Sequence, residues 1–426
     1  MLPRILYSLV FYLLVPFICL RLWWRSRRVP AYRRRWRERF GVVPRPDPGR
    51  EVIWVHAVSV GETIAAVPLV RRLQERYPDA LIAVTTTTPT GSERVRALLG
   101  DSVYHSYVPY DLPDALARFL ARLQPRLLIV METELWPNLV HACARRDIPV
   151  VLANARLSEK SAVGYRRFAA LTARMLGELT WVAAQHEDDG ARFLALGLPA
   201  ARLQVTGNIK FDFAIRDEQR RQAQVLAEQW RGADGRPVWL VASTHRGEDE
   251  IILDAFARAL ARVPNLLLVL VPRHPDRFEQ VAALCSARGH RMARRSRAEI
   301  PDAATQVLLG DTMGELAVFF GACDIAFVAG SLVPVGGHNL LEPAAWGVPV
   351  LSGPVLFNFA EASALLQQAD ALTLCENADE IADAVVNLVE NPEQRSRQGA
   401  AARAVVDANR GALARLMALI ERLPAR

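Results

Sequence analysis

The sequence predicts an α/β protein of two doubly wound, Rossmann-like parallel sheets, preceded by an N-terminal apolar helix. Three observations carry that expectation. Short apolar runs alternate with segments of helical period, and repeated β-α-β units fold as a parallel sheet covered on both faces. The alternation pauses at a polar, charged helix over 217–231 and then starts again, which makes two sheets. At 426 residues, 51% of them hydrophobic, the chain is long and apolar enough for two cores. The divisions implied are 1–43, 44–215 and 216–426.

Residues 2–24 are mostly apolar, interrupted by Arg4, Pro16 and Arg21. A bilayer span needs about 20 apolar residues, so this is a marginal transmembrane helix. No small-residue cleavage site follows it, which argues against a removable signal peptide. Trp23 and Trp24 stand where interfacial aromatics belong. A basic block follows: Arg25, Arg27, Arg28, Arg33, Arg34, Arg35, Arg37 and Arg39. The positive-inside rule then puts the rest of the chain in the cytoplasm. The block also suits an anionic membrane surface, at about 1 kcal/mol per charge near it. A spanning helix and one lying along the membrane both fit. A proline-rich joint at 44–49 ends the anchor.

The net charge of +7 favours an anionic partner: nucleic acid, anionic lipid or a phosphorylated substrate. Nucleic acid fits poorly. The arginine block abuts the anchor and has no interleaved stacking aromatics beyond Trp36 and Phe40. The five cysteines form no C-x-x-C pair, and no histidines have zinc-motif spacing, so neither disulfides nor a metal site are expected.

The first half predicts strands over 52–56, 81–86, 127–131, 150–153, 181–184 and 203–206. Ligands of such sheets bind beyond the carboxyl ends of the strands. There, Ser59-Val60-Gly61-Glu62 sets Glu62 at a helix start, where the dipole favours its ionised form and the carboxylate can serve as general base. A helix-capping role fits the same position. Glu132 and Glu134 end another buried strand, in Met131-Glu132-Thr133-Glu134-Leu135-Trp136-Pro137. Lys210, in Gly207-Asn208-Ile209-Lys210-Phe211-Asp212, can neutralise a phosphate or carboxylate, or be a plain surface lysine.

The second half predicts strands over 238–242, 266–271, 306–309, 325–328 and 348–351. Gly330-Ser331-Leu332-Val333-Pro334-Val335-Gly336-Gly337-His338-Asn339-Leu340-Leu341-Glu342 leaves an apolar strand and enters a helix. Glycines let backbone approach a phosphate, and the first N–H groups of a helix point at an anion. Asn339 can cap that helix, and Glu342 can accept hydrogen bonds from a ribose. Pro272-Arg273-His274-Pro275 offers a guanidinium fork for phosphate and a neutral donor. Gly310-Asp311-Thr312-Met313-Gly314-Glu315 reads as a second N–H cradle. Two such sheets facing each other would set a reaction in the cleft between them.

These stretches, with Asn154-Ala155-Arg156-Leu157-Ser158 and His56-Ala57-Val58 ahead of Ser59, make seven motifs. In type and order they resemble the 3-deoxy-D-manno-octulosonic acid (Kdo) transferases of lipopolysaccharide synthesis, over nearly the whole chain. The resemblance implies a GT-B fold and inverting transfer from CMP-Kdo to a tetra-acylated lipid A precursor, lipid IVA. It implies attachment by a single N-terminal anchor to the cytoplasmic face of the inner membrane, and no cofactor and no metal. By that resemblance Glu62 is the general base, and Glu132 and Lys210 stabilise the transition state. Arg273, His274, Met313, Gly314, Glu315, Ser331, Gly337, His338, Asn339 and Glu342 bind CMP. The alternative is another membrane-associated GT-B enzyme using a UDP-sugar, of the peptidoglycan or lipid A disaccharide type.

Overall fold

A computed structural model describes residues 2–27, 29–47, 49–212 and 215–423. The chain forms two compact units, residues 1–210 with 410–426, and residues 211–409.

The first unit carries a seven-stranded sheet of β1 (Val52–His56), β2 (Leu81–Thr86), β3 (Tyr104–Tyr107), β4 (Pro125–Met131), β5 (Val150–Ala155), β6 (Trp181–Ala184) and β7 (Leu203–Val205). Their order is β3-β2-β1-β4-β5-β6-β7, and every pairing is parallel. The central strands are buried on both faces, as their unbroken apolar runs require. Trp54 and Leu128 pack on one side of the sheet, Ile53 and Ile129 on the other.

The second unit repeats the plan with β8 (Val238–Thr244), β9 (Leu267–Pro272), β10 (Met292–Arg294), β11 (Val307–Leu309), β12 (Ile325–Val328), β13 (Val350–Ser352) and β14 (Leu372–Leu374). The order is β10-β11-β9-β8-β12-β13-β14, again all parallel. Three strands had no apolar run to announce them: β3, β10 and β14. All three lie at a sheet edge. An edge strand has one neighbour and less surface to bury, so Tyr104-His105-Ser106-Tyr107 suffices for β3.

The C-terminal segment differs from expectation. Read with the second half, it packs in the first unit. Gly411, at φ +91°, lets the chain turn out of the preceding helix, and Ala412–Glu421 forms a new one. Leu416, Leu419 and Ile420 join the core around Leu69 and Val70, and Arg415 Nε donates to the Thr206 carbonyl at 2.7 Å. At the other end, Leu2–Arg25 is a continuous helix despite Pro16, long and apolar enough to cross a membrane. Of the basic block, Arg28 lies outside the described residues. Arg35 and Arg39 are not available to lipid. Arg35 pairs with Glu38 at 2.7 Å and donates to Ser92 Oγ and the His105 carbonyl, both at 3.0 Å. Arg39 is buried and donates to the Thr87 carbonyl at 2.9 Å. Arg25, Arg27, Arg33, Arg34 and Arg37 are exposed.

Candidate active site

In the first sheet the chain runs outward from β1 to β3, then returns to β4 on the other side of β1. The loops leaving β1 and β4 therefore flank the switch point, where such sheets bind ligands. Ser59 caps the helix Val60–Arg76 by accepting the Glu62 N–H at 3.2 Å. Glu62 Oε2 in turn accepts the Val58 N–H at 2.8 Å, so the side chain folds back over its own turn and is buried. Burial raises the Glu62 carboxyl above its ordinary range; the bonds from Val58 and Ser59 oppose this, and the charges of Glu134 and Glu132 add to it. The ionising effect expected from the helix start is thus outweighed by desolvation. The capping reading also holds, since Glu62 is tied to the turn, but its neighbours are two more acids.

Glu132 follows β4 in the left-handed region at φ +55°, a conformation that costs a non-glycine residue of order 1 kcal/mol and that gathers at functional sites. Its N–H still bonds the Ala153 carbonyl at 2.9 Å, and its carboxylate meets Lys210 Nζ at 3.4 Å. Asn154 holds the turn that carries Lys210, accepting the Ile209 N–H at 3.0 Å. Glu134 accepts from Trp136 Nε1 at 3.3 Å, and burial raises its carboxyl too. Beneath them His56 is fully buried, 2.9 Å from Thr85 Oγ1 and edge-on to Trp136. Burial pushes His56 down to about 4, so the ring is neutral. The first unit thus brings Glu62, Glu132, Glu134 and Lys210 together.

In the second sheet the switch point lies between β8 and β12. The β8 loop, which sequence reading passed over, supplies Glu248. This fully buried carboxylate accepts the N–H groups of Gly330 (2.8 Å), Ser331 (3.0 Å) and Leu332 (3.0 Å), and that of His245 (2.9 Å). The opening N–H groups of the glycine-rich loop, expected to cradle phosphate, are therefore satisfied inside the protein. Ser331 is likewise internal. Its hydroxyl donates to the Val328 carbonyl at 3.0 Å and accepts the Gly353 N–H at 2.8 Å. Gly337, at φ +77°, holds a backbone conformation that favours glycine, and a Cβ there would lie 2.5 Å from Leu356 Cδ2.

The rest of that loop meets the β8 and β9 loops. His338 Nε2 lies 2.8 Å from His245 Nε2 with the rings stacked, and exposed His274 stands edge-on to His245. Burial, then the His245, Arg273 and His274 charges, push His338 down to about 4. Asn339 Nδ2 donates to Glu342 at 3.0 Å while its Oδ1 accepts the Leu341 N–H at 3.1 Å; it therefore braces the turn from one residue ahead of the N-cap, Leu340, and is not itself the expected cap of the short helix Leu341–Trp346. Burial raises Glu342, opposed by Asn339 and by the Arg273 charge. Arg273 therefore sits where its guanidinium bears on Glu342, His338 and His245 together.

Met313, Gly314 and Glu315 stand apart, after β11, on the far side of β9. Glu315 is taken by Arg295 at 2.6 Å and lies below its ordinary range for that reason, and Met313 is exposed. The expected second cradle opens a helix of one turn, Leu316–Phe319. Among the described residues no cluster of three or more His, Cys, Asp or Glu could hold a metal ion.

Residues 34–213 match the family model described as 3-deoxy-D-manno-octulosonic-acid transferase (kdotransferase). A 3-deoxy-D-manno-octulosonic acid transferase of Haemophilus influenzae is 47% identical over 420 residues, covering 98% of each chain. The chain belongs to the Kdo transferase family. The Bordetella pertussis Kdo transferase is 38% identical over 433 residues, covering 98% of this chain and 99% of its own. Among solved structures, the UDP-GlcNAc 2-epimerase of Neisseria meningitidis superposes with a TM-score of 0.57 at 17% identity, covering 88% of this chain and 100% of that one. That likeness shows the fold alone, and the fold is the GT-B type expected, with two Rossmann-like units. The resemblance carried by the seven motifs holds at the level of the family.

Proposed function

We propose that this Kdo transferase moves Kdo from CMP-Kdo to the membrane-bound lipid A precursor lipid IVA, with inversion, at the cytoplasmic face of the inner membrane. The observation that carries the mechanism is the acid cluster at the first switch point. An acceptor hydroxyl is far too weak an acid to ionise near neutral pH, so a base must take its proton as its oxygen bonds the Kdo anomeric carbon. The bond from that carbon to the CMP phosphate breaks, and CMP departs with the electron pair. Glu62 is the base: its raised proton affinity brings it nearer the operating pH than an ordinary glutamate. The Glu132–Lys210 pair steadies the charge that develops as the bonds exchange. In the second unit Arg273 takes the phosphate, and Glu342, held by Asn339, takes the ribose hydroxyls.

Incubating the purified protein with CMP-Kdo and lipid IVA, followed by mass spectrometry of the lipid, tests this reading. Gain of the mass of one or more Kdo units supports it. An unchanged lipid, or equal transfer from a UDP-sugar, refutes it.

A further inference from the structure

The helix Leu2–Arg25 shows a face it could not show as a bilayer span. Its less exposed positions recur three or four apart along its whole length, at Arg4, Ser8, Phe11, Val15, Cys19 and Leu22. This is the spacing of one helix face laid against a surface. Its polar members have fixed partners in the first unit. Arg4 Nη1 donates to Asn138 Oδ1 at 3.2 Å, and Ser8 Oγ lies 3.1 Å from the same atom. Asn138 is itself buried, with its N–H given to Asp111 Oδ2 at 3.0 Å and its Nδ2 to the Asp111 carbonyl at 2.7 Å. Tyr12 donates to Asp114 one turn further on.

Docking and spanning exclude each other. In a span, Arg4 to Tyr12 would lie in the half of the bilayer far from the basic block, roughly 20–30 Å from any water-soluble domain beside that block. Asn138 and Asp114 belong to the folded sheet unit and could not follow them there.

We infer that Leu2–Arg25 lies in the plane of the membrane, with one face on the first unit and the other sunk in a single leaflet. This rests on the membrane attachment proposed above and refines it. The outward face supports it: Leu6, Leu9, Leu13, Phe17, Leu20 and Trp24 are all exposed and form a continuous apolar stripe. Exposed Arg25, Arg27, Arg33, Arg34 and Arg37 continue it at the C-terminal end, the charge that anionic headgroups complement. The docked face also meets the helix Pro137–Ala144, which leaves the Glu132–Trp136 loop. A lipid acceptor is thereby brought beside the acid cluster without leaving its leaflet.

Depth-resolved quenching tests this on the full chain. Leu6→Cys, Leu13→Cys and Leu20→Cys are made singly on Cys19→Ser, with the other four cysteines buried. Each is labelled with a small fluorophore and bound to vesicles of zwitterionic and anionic phospholipid carrying spin labels at stepped depths. The in-plane helix gives all three positions one depth within a few ångström, near the headgroup boundary. A span puts position 13 about 10 Å deeper than positions 6 and 20, seven residues away on either side, and overturns the inference while leaving membrane attachment intact. Absence of quenching at all three positions overturns the attachment as well.

Discussion

At their switch points the two sheets share a backbone plan and differ in chemistry. The first presents three carboxylates, Glu62, Glu132 and Glu134, with one lysine. The second presents Arg273 and the stacked His245 and His338, with the Glu342 carboxylate beside them. The second site also has a buried acid, Glu248, but its oxygens are bonded to backbone N–H groups and hold the β12 loop on the β8 loop. Acids crowded together raise one another's proton affinity, which suits a group that must accept a proton. A guanidinium beside neutral imidazoles suits a group that must hold phosphate. On the function proposed above, proton transfer belongs to the first unit and donor binding to the second.

The largest expected effect is on turnover. Glu62→Gln keeps the shape and the cap and removes the proposed base. It should fold, bind CMP with unchanged affinity and lose on the order of 10²–10⁴-fold in turnover. If Glu62 were a cap only, the loss would be about 0.3–1 kcal/mol of stability with transfer spared, and the division between the units would fail.

Glu248→Gln should act on the second unit alone. An amide has one acceptor oxygen where the carboxylate has two, and turns its NH₂ toward N–H groups already in place. Roughly 3–5 kcal/mol of stability should be lost in denaturant melts, with CMP binding weakened through the displaced loop. A second unit that melts as the native one does would show that the four bonds do not hold the loop.

A smaller effect is expected of Arg273→Ala. It should weaken CMP by about 1.5–3 kcal/mol and cytidine much less, measured by calorimetry, because its proposed partner is the phosphate. Equal losses for the two ligands would move the phosphate elsewhere.

Much of this was legible in the sequence. The central strands read directly because strands buried on both faces need unbroken apolar runs, as in Val52-Ile53-Trp54-Val55 and Leu127-Leu128-Ile129-Val130. The edge strands β3, β10 and β14 did not read, since their burial demands less of the side chains. Glu62, Glu132 and Lys210 were found from position at strand ends, and the fold brings them together. Glu248 was missed because an acid opening Glu248-Asp249-Glu250 looks like a helix-start charge; its place after the central strand was the available signal. The internal partners of Ser331 and Glu315 were not legible either, because local spacing does not reveal a tertiary partner such as Gly353 or Arg295. The return of Ala412–Glu421 to the first unit has no local signal beyond Gly411.

The pH dependence of kcat/KM for Kdo transfer, measured on the native protein and on Glu62→Gln, tests the central claim most directly. A base works only when deprotonated, and burial with Glu134 and Glu132 nearby raises the Glu62 carboxyl above its ordinary 4.5. The native rate should therefore climb with pH along a limb whose midpoint lies above 4.5, and that limb should vanish in Glu62→Gln together with most of the turnover. A Glu62→Gln protein that keeps both the limb and its turnover would contradict the account and move the base to another carboxylate, Glu132 first.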